Sequence, residues 1–80
     1  MISMATYSQF YDAVRENVKQ RVARFGEPEA VVDEFLKAEE EQIKGEYRHY
    51  TEDEVPDGMT PEAFLKSCIE SISYCLEMCF

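Results

Sequence analysis

The sequence contains no tryptophan, three glycines, three prolines and one histidine among its 80 residues. So few glycines and prolines exclude a collagen-like or low-complexity chain. Hydrophobic residues make up 45% of the sequence, which is too much for an intrinsically disordered protein. A chain of this length buries only about 60–65% of its extended surface, so it cannot enclose both a core and a deep active-site cavity. We therefore expect one small folded domain spanning residues 1–80.

The sequence also lacks a recognisable targeting segment, because its first residues contain neither a basic stretch nor a long apolar run. For the same reason it predicts no transmembrane helix. The three cysteines, Cys68, Cys75 and Cys79, are odd in number and lie together near the C-terminus. Secreted disulfide frameworks usually have an even number of cysteines. We therefore expect a cytoplasmic protein with reduced thiols.

Basic residues are scarce, since 8 lysines and arginines stand against 17 acidic residues, giving a net charge of −9. This excess opposes direct binding to nucleic acid or to an anionic membrane. The charge is unevenly distributed: residues 1–26 have a net charge of +2, residues 27–62 of −10 and residues 63–80 of −1. The negative surplus therefore lies in the middle of the chain.

Apolar residues recur at steps of three and four in three stretches, which predicts amphipathic helices over about 7–25, 28–49 and 61–79. The link between the first two stretches is so short that the helices must run antiparallel. No strand pattern competes with these helices. The predicted fold is therefore all-α, a small antiparallel three-helix bundle.

Local signals mark the ends of these predicted helices. Thr6 and Gln9 have the spacing of a capping box, and Gly26 can end the first helix in a left-handed conformation. The segment Val55–Gly58 has proline, aspartate and glycine in the order of a tight turn. Thr60 followed by Pro61 is typical of a helix start. The helix boundaries are thus predicted by short-range chemistry.

Two acids interrupt the apolar face of the second predicted helix. On a helical projection Glu39 and Glu46 fall in the middle of its apolar arc. Burying an unpaired carboxylate is costly, so each must meet a cation, reach solvent or line a site. Arg15, level with Glu39 in an antiparallel hairpin, is the predicted partner.

Most of the other acids are explained as a solvated helix face. Asp33 with Lys37, and Glu40 with Lys44, have the acid-first, four-residue spacing that favours ion pairs along a helix. The acidic loop at residues 52–57 does not have the ligand spacing of an EF-hand. Its sequence therefore predicts a solvated turn and no calcium site.

Metal binding is a weak alternative from the spacing alone. Glu46 and His49 form an E-x-x-H step, and Glu39 precedes them on the same face. Di-iron bundles need this motif twice plus two further glutamates, which only a dimer could supply here. The cysteines are predicted to be small core residues, and a zinc site joining them to His49 lacks the usual C-x-x-C spacing.

Nucleophilic catalysis has little support in the sequence. His49 is the only histidine, and no serine or cysteine lies beside it along the chain. We therefore expect no enzyme, no catalytic residue, no cofactor and no bound metal.

The leading hypothesis is a non-enzymatic acidic protein that docks on a basic partner protein. Residues 28–50 have seven acids and three bases. This is roughly one net charge per 8 Å, against one per about 1.7 Å in duplex DNA. The four acids of the loop at 52–57 lie closer together along the chain, and no lysine or arginine lies among them. The predicted contact residues are Glu40, Glu41, Tyr47, Tyr50, Glu52, Asp53, Glu54 and Asp57.

A specific form of this hypothesis is an inhibitor that occupies the nucleic-acid-binding channel of a defence or nucleic-acid-processing enzyme. Anti-restriction and anti-CRISPR proteins use this strategy, and the comparison concerns strategy alone, without shared motifs. The protein itself would then contact neither nucleic acid nor membrane.

The rival hypothesis is a self-associating structural module that forms a homodimer through its third predicted helix. The apolar arc of that helix is wider than a small three-helix core needs. Its members are Phe64, Leu65, Cys68, Ile69, Ile72, Cys75, Leu76, Met78, Cys79 and Phe80.

Overall fold

The computed structural model describes residues 4–80, which are all-helical and contain no strand. The all-α class is therefore confirmed. The four α-helices of this region are α1 (Tyr7–Val22), α2 (Glu29–Ala38), α3 (Glu40–Glu52) and α4 (Pro61–Cys79). The three-helix prediction is wrong in one respect, because the second predicted helix is divided in two. Residues 1–3 lie outside the described part, so one domain over residues 1–80 stays a prediction.

The helix α1 begins as its sequence predicts. The Thr6 hydroxyl accepts a hydrogen bond from the Gln9 N–H at 3.2 Å, and the Gln9 side chain accepts one from the Thr6 N–H at 2.9 Å. The α-helix ends at Val22, three residues before the predicted end, and Ala23–Phe25 form a single 3₁₀ turn. Gly26 closes this turn with the positive φ of 70° that its missing side chain allows.

The break between α2 and α3 lies at Glu39. Its N–H donates to the Phe35 carbonyl at 3.0 Å, and its own carbonyl accepts from the Gln42 N–H at 3.0 Å. On a continuous helix Glu39 would lie on the buried face between Leu36 and Ile43. The break leaves the Glu39 side chain half-exposed, with its carboxylate accepting a hydrogen bond from the Gln42 amide. The cost of burying a carboxylate is thereby avoided.

The helix α3 continues through Gly45 to Glu52, three residues beyond the predicted end at His49. A β-carbon at Gly45 would meet nothing within 4 Å, so no close contact requires a glycine there. The predicted turn is present, because the Met59 N–H donates to the Pro56 carbonyl at 3.1 Å.

The start of α4 agrees with its prediction. The Thr60 hydroxyl accepts from the Ala63 N–H at 3.1 Å, and Pro61 occupies the first turn, where an amide proton is not needed. The helix extends to Cys79, as the periodicity predicts. No helix of residues 4–80 has both the length and the apolarity that crossing a bilayer requires.

The core lies along α1 and α4, which pack against each other more extensively than any other pair of helices. The helix α3 packs against both, and the molecule measures 39 × 20 × 20 Å. The buried apolar residues are Phe10, Val14, Val18, Val22, Val32, Leu36, Ile43, Tyr50, Phe64, Cys68, Ile72 and Leu76.

Ion pairs between α1 and α2 differ from those predicted. The Arg15 Nε donates to Asp33 Oδ1 at 2.8 Å, so the partner of Arg15 is Asp33 rather than Glu39. Lys19 lies 3.5 Å from the same Asp33 carboxylate. The hydrogen bond from Arg15 holds the pKa of Asp33 below its usual value. Asp33 therefore joins two helices instead of pairing with Lys37 along α2.

A second ion-pair group joins the ends of α1 and α4. The Glu77 carboxylate lies 3.1 Å from Arg21 Nη1 and 2.9 Å from Arg24 Nη1. The hydrogen bonds from Arg21 and then Arg24 hold the pKa of Glu77 below its usual value of 4.5. Glu77 thus pairs with two of the basic residues of the N-terminal segment.

Replacing Glu77 by glutamine is expected to make stability less sensitive to acid. Because the folded-state pKa of Glu77 is lowered, its contribution is present above its usual pKa of 4.5 and is lost as the pH falls through the lowered value. The melting temperature of E77Q should therefore lie below that of the wild type at neutral pH, and the difference should shrink in acid. The exposed Glu70 provides the control variant E70Q. Parallel profiles for E77Q and the wild type would contradict the expectation.

Candidate functional site

The predicted acidic contact residues fall into two separate groups. Glu40 and Glu41 lie in the first turn of α3, whereas Glu52, Asp53, Glu54 and Asp57 lie at its end and in the following loop. A rise of 1.5 Å per residue separates Glu40 from Glu52 by about 18 Å along the helix. The structure therefore does not bring all these acids into one patch.

The first group is engaged within the protein. The Tyr7 hydroxyl donates to the Glu40 carboxylate at 3.4 Å, and burial together with the Glu40 charge raises the pKa of Tyr7 to about 12. Lys44 Nζ lies 3.8 Å from Glu41, so the ion pair on this turn is not the predicted Glu40–Lys44 pair. Glu40 and Glu41 therefore each have a partner within the protein and lie apart from the loop acids, and their role as contact residues stays a prediction.

The two tyrosines of α3 belong to the core rather than to an aromatic surface. Tyr50 is 7% exposed, and its ring centroid lies 6.1 Å from Phe10 and 6.2 Å from Phe64. Tyr47 is half-buried, and its hydroxyl donates to the Ala5 carbonyl at 2.9 Å. Both side chains therefore contribute to packing inside the protein, and their role as contact residues stays a prediction.

A groove of about 350 Å³ lies where the end of α3, the loop and the start of α4 meet. Its walls are mostly apolar, and the acidic residues Asp53 and Glu62 also line it. The lining residues are Met4, Tyr50, Thr51, Asp53, Val55, Pro61, Glu62, Phe64 and Leu65. The groove thus combines an apolar surface with negative charge.

Four carboxylates in or beside this groove are exposed and form no ion pair with another residue of 4–80: Glu52, Glu54, Asp57 and Glu62. The basic residues of the first 26 positions, in contrast, are all paired elsewhere. We call the groove together with Glu52, Glu54 and Asp57 the acidic groove. Its charge is available to a basic partner.

The sequence indicates the loop acids but not the other wall of the groove. Glu62, Phe64 and Leu65 come from the first turns of α4, and they meet the end of α3 only because the loop reverses the chain. The Thr60–Pro61 helix start was the available signal, since it places the next helix directly after the turn.

A second cluster joins α3 to α4 beside the acidic groove. Ligand atoms of Glu46, His49 and Cys68 all lie within 4.8 Å of one another. The Nδ1 atom of His49 is also hydrogen-bonded to the Asp53 carboxylate. Glu39 is not part of this cluster, so the described residues of one chain do not bring together the Glu39–Glu46–His49 set suggested by the sequence.

Of the three cysteines, Cys68 alone belongs to this cluster, whereas Cys75 and Cys79 are exposed. Burial, followed by the charges of Glu46 and Asp53, raises the pKa of the Cys68 thiol to about 11. A thiol with a raised pKa is a poor nucleophile, since the thiolate is the reactive form. The neighbouring His49 therefore does not make Cys68 an activated nucleophile in this arrangement.

The exposed apolar face of α4 is narrower than its sequence pattern predicted. Phe64, Cys68, Ile72 and Leu76 are buried in the core of the protein itself. Tyr74 and Met78 are the large apolar residues of α4 that remain exposed. A self-associating surface on α4 would therefore be small.

The fold and the groove define a small all-helical protein with an acidic, apolar-lined concavity at one end. Comparison of the chain with protein-family models, with curated proteins and with solved structures finds no match.

Proposed function

We propose that this protein is a non-enzymatic binding protein whose acidic groove receives a basic segment of a partner protein. The observation that supports the proposal most strongly is an apolar groove that is lined by Glu62 and is close in sequence to the loop acids, whose exposed carboxylates form no ion pair within residues 4–80. The partner segment that fits this surface presents an apolar side chain flanked by lysine or arginine.

The two components of the surface have different roles. The apolar walls around Val55 and Leu65 can bury a side chain, which contributes affinity. The carboxylates of Glu52, Glu54 and Asp57 attract basic residues during the encounter and set the orientation of the segment. Because these acids are exposed, their contribution must weaken as salt concentration rises.

The specific form of the proposal is an inhibitor of a protein that binds nucleic acid. Channels that bind nucleic acid are rich in lysine and arginine. An acidic protein seated in such a channel would compete with the nucleic acid for the same basic residues. A captured partner should then release this protein when a DNA or RNA oligonucleotide that binds the same channel is added.

Neutralising the acidic groove is expected to weaken partner binding by about tenfold or more, because four exposed charge contacts are lost together. The variant is E52Q/E54Q/D57N/E62Q, which keeps the size of each side chain. The measurement is affinity capture of partner proteins at increasing salt, followed by a titration of the captured partner. Binding by the wild type should fall with salt, and binding by the variant should start low.

The matched control neutralises four exposed acids outside the groove, D12N/E27Q/E34Q/E70Q, and so changes the net charge equally. This control should bind nearly as well as the wild type if position matters rather than total charge. Association that is unaffected by salt, or that both quadruple variants lose equally, would rule out the acidic groove as the docking surface.

The alternative function is self-association through α4, and it can be tested with the same purified protein. Sedimentation at micromolar concentration distinguishes a monomer from a dimer. A dimer that disappears in the variant Y74S/M78S would favour the structural-module hypothesis, because these substitutions change the exposed face of α4 alone. A strictly monomeric protein would contradict the structural-module hypothesis.

A further inference from the structure

The cluster of Glu46, His49 and Cys68 consists of three different metal-binding groups that come from two helices. Glu46 and His49 are three residues apart, so they lie on the same face of α3. Cys68 lies on the buried face of α4 opposite them. Their ligand atoms are within 4.8 Å of one another, although His49 and Cys68 are 19 positions apart in the sequence.

The chemistry of this donor set selects among metal ions. A thiolate and an imidazole are typical ligands of zinc, and a carboxylate oxygen completes many of its sites. Calcium and magnesium prefer oxygen ligands alone, and di-iron bundles need four carboxylates. The mixture of sulfur, nitrogen and oxygen therefore favours zinc.

The spacing of the cluster is compatible with one bound ion. Zinc lies about 2.3 Å from sulfur and about 2.0 Å from nitrogen or oxygen, which places tetrahedral ligand atoms less than about 4 Å apart. The present separations, up to 4.8 Å, can be closed by side-chain adjustments of about 1 Å. Cys68 is buried, Glu46 is half-buried and His49 is exposed, so an ion can enter from the solvent side.

A neighbouring carboxylate orients the imidazole. Asp53 is hydrogen-bonded to His49 Nδ1, and an imidazole held in this way would bind an ion through Nε2. Histidine ligands of zinc commonly donate their second ring N–H to a carboxylate in this way. The Phe64 ring packs edge-on against the His49 ring, with centroids 5.6 Å apart, and further limits its orientation.

We propose that Glu46, His49 and Cys68 bind a zinc ion, with Asp53 positioning His49 and a water molecule as the fourth ligand. The ion would link the C-terminal half of α3 to the middle of α4, directly beside the acidic groove. This site differs from the one suggested by sequence spacing, because Cys68 replaces Glu39. It does not depend on the proposed function of the groove.

The test is a titration of the reduced full-length protein with cobalt(II), which replaces zinc and reports its ligands by absorption. The expected result is one ion per chain with a thiolate-to-cobalt charge-transfer band and the strong visible bands of tetrahedral cobalt. The band should be lost in C68S and kept in C75S, because Cys75 lies outside the cluster. Competition with zinc should remove the cobalt spectrum.

Two further variants keep the proposal falsifiable if C68S does not fold. H49A changes an exposed residue and should lower the affinity for zinc, as measured by calorimetry, more than any control does. D53N should lower it by about ten- to a hundredfold, whereas E52Q, a neighbouring exposed acid outside the cluster, should not. The proposal is overturned if no charge-transfer band forms, if the band survives in C68S, or if D53N and E52Q have the same affinity as the wild type.

Discussion

Replacing Phe10 by alanine should lower the free energy of unfolding by about 3–5 kcal/mol. Phe10 is 0% exposed, and its ring lies 5.4 Å from Tyr47 and 6.1 Å from Tyr50 between centroids. Alanine removes these contacts and leaves a cavity where α1 meets α3. A protein of this size has a total stability of only about 4–12 kcal/mol, so a large part of it would be lost.

The measurement is urea denaturation together with the melting temperature, which should fall by more than about 10 °C. Phe25 provides the matched control because it is also an aromatic residue of the N-terminal segment but is 50% exposed. Replacing Phe25 by alanine should lower the free energy of unfolding much less than replacing Phe10 does. Equal losses at Phe10 and Phe25 would show that the two rings are not packed as the structure describes.

Replacing Leu36 by alanine should cost about 2–5 kcal/mol and should also loosen α2. Leu36 is 0% exposed, and it is one of two buried residues of this helix, the other being Val32. The helix has 10 residues, whereas an isolated helix needs about 12–15 residues to be even marginally stable in water. Its stability must therefore come from tertiary contacts.

Hydrogen exchange tests the local part of this expectation. In the Leu36 variant the amide protons of α2 should lose protection before those of α1 and α4, because α2 has two buried residues whereas α1 has four and α4 has five. Val31 is the control, since it lies on the same helix, is apolar and is 40% exposed. Uniform loss of protection in all helices would contradict the idea that α2 is a separately weakened element.

Much of the helical structure follows from residues close together in the sequence. The Thr6–Gln9 capping box, the left-handed Gly26 and the Thr60–Pro61 start all occur where the sequence predicts them. Each of these signals depends on hydrogen bonds or backbone angles within a few residues. The helical periodicity of α4 was equally local, and its bounds are confirmed.

The break at Glu39 was not predicted, although the sequence contained its cause. The helical projection places Glu39 on an apolar face, and an acid there must meet a cation, reach solvent or line a site. The structure leaves the residue half-exposed by interrupting the helix, and Arg15 pairs with Asp33 instead. The choice depends on how α2 and α3 pack against α1, which periodicity does not contain.

The candidate sites, too, could be predicted only in part from the sequence. The loop acids Glu52, Glu54 and Asp57 are visible in the sequence as an unopposed charge run. The opposite wall of the groove and the approach of Cys68 to His49 result from a chain reversal, so no short-range pattern indicates them. Tyr50, predicted as a contact residue, is buried because its ring fills the space between Phe10 and Phe64.

The sequence by itself determined the all-helical class, the start of α1, both ends of α4 and the location of the negative charge, because these properties depend on neighbours within one or two turns. The tertiary structure alone decided which aromatic rings are buried, where the second predicted helix breaks, and which groups meet across α3 and α4. These features depend on the angles and distances at which helices pack, and those are set by the whole core.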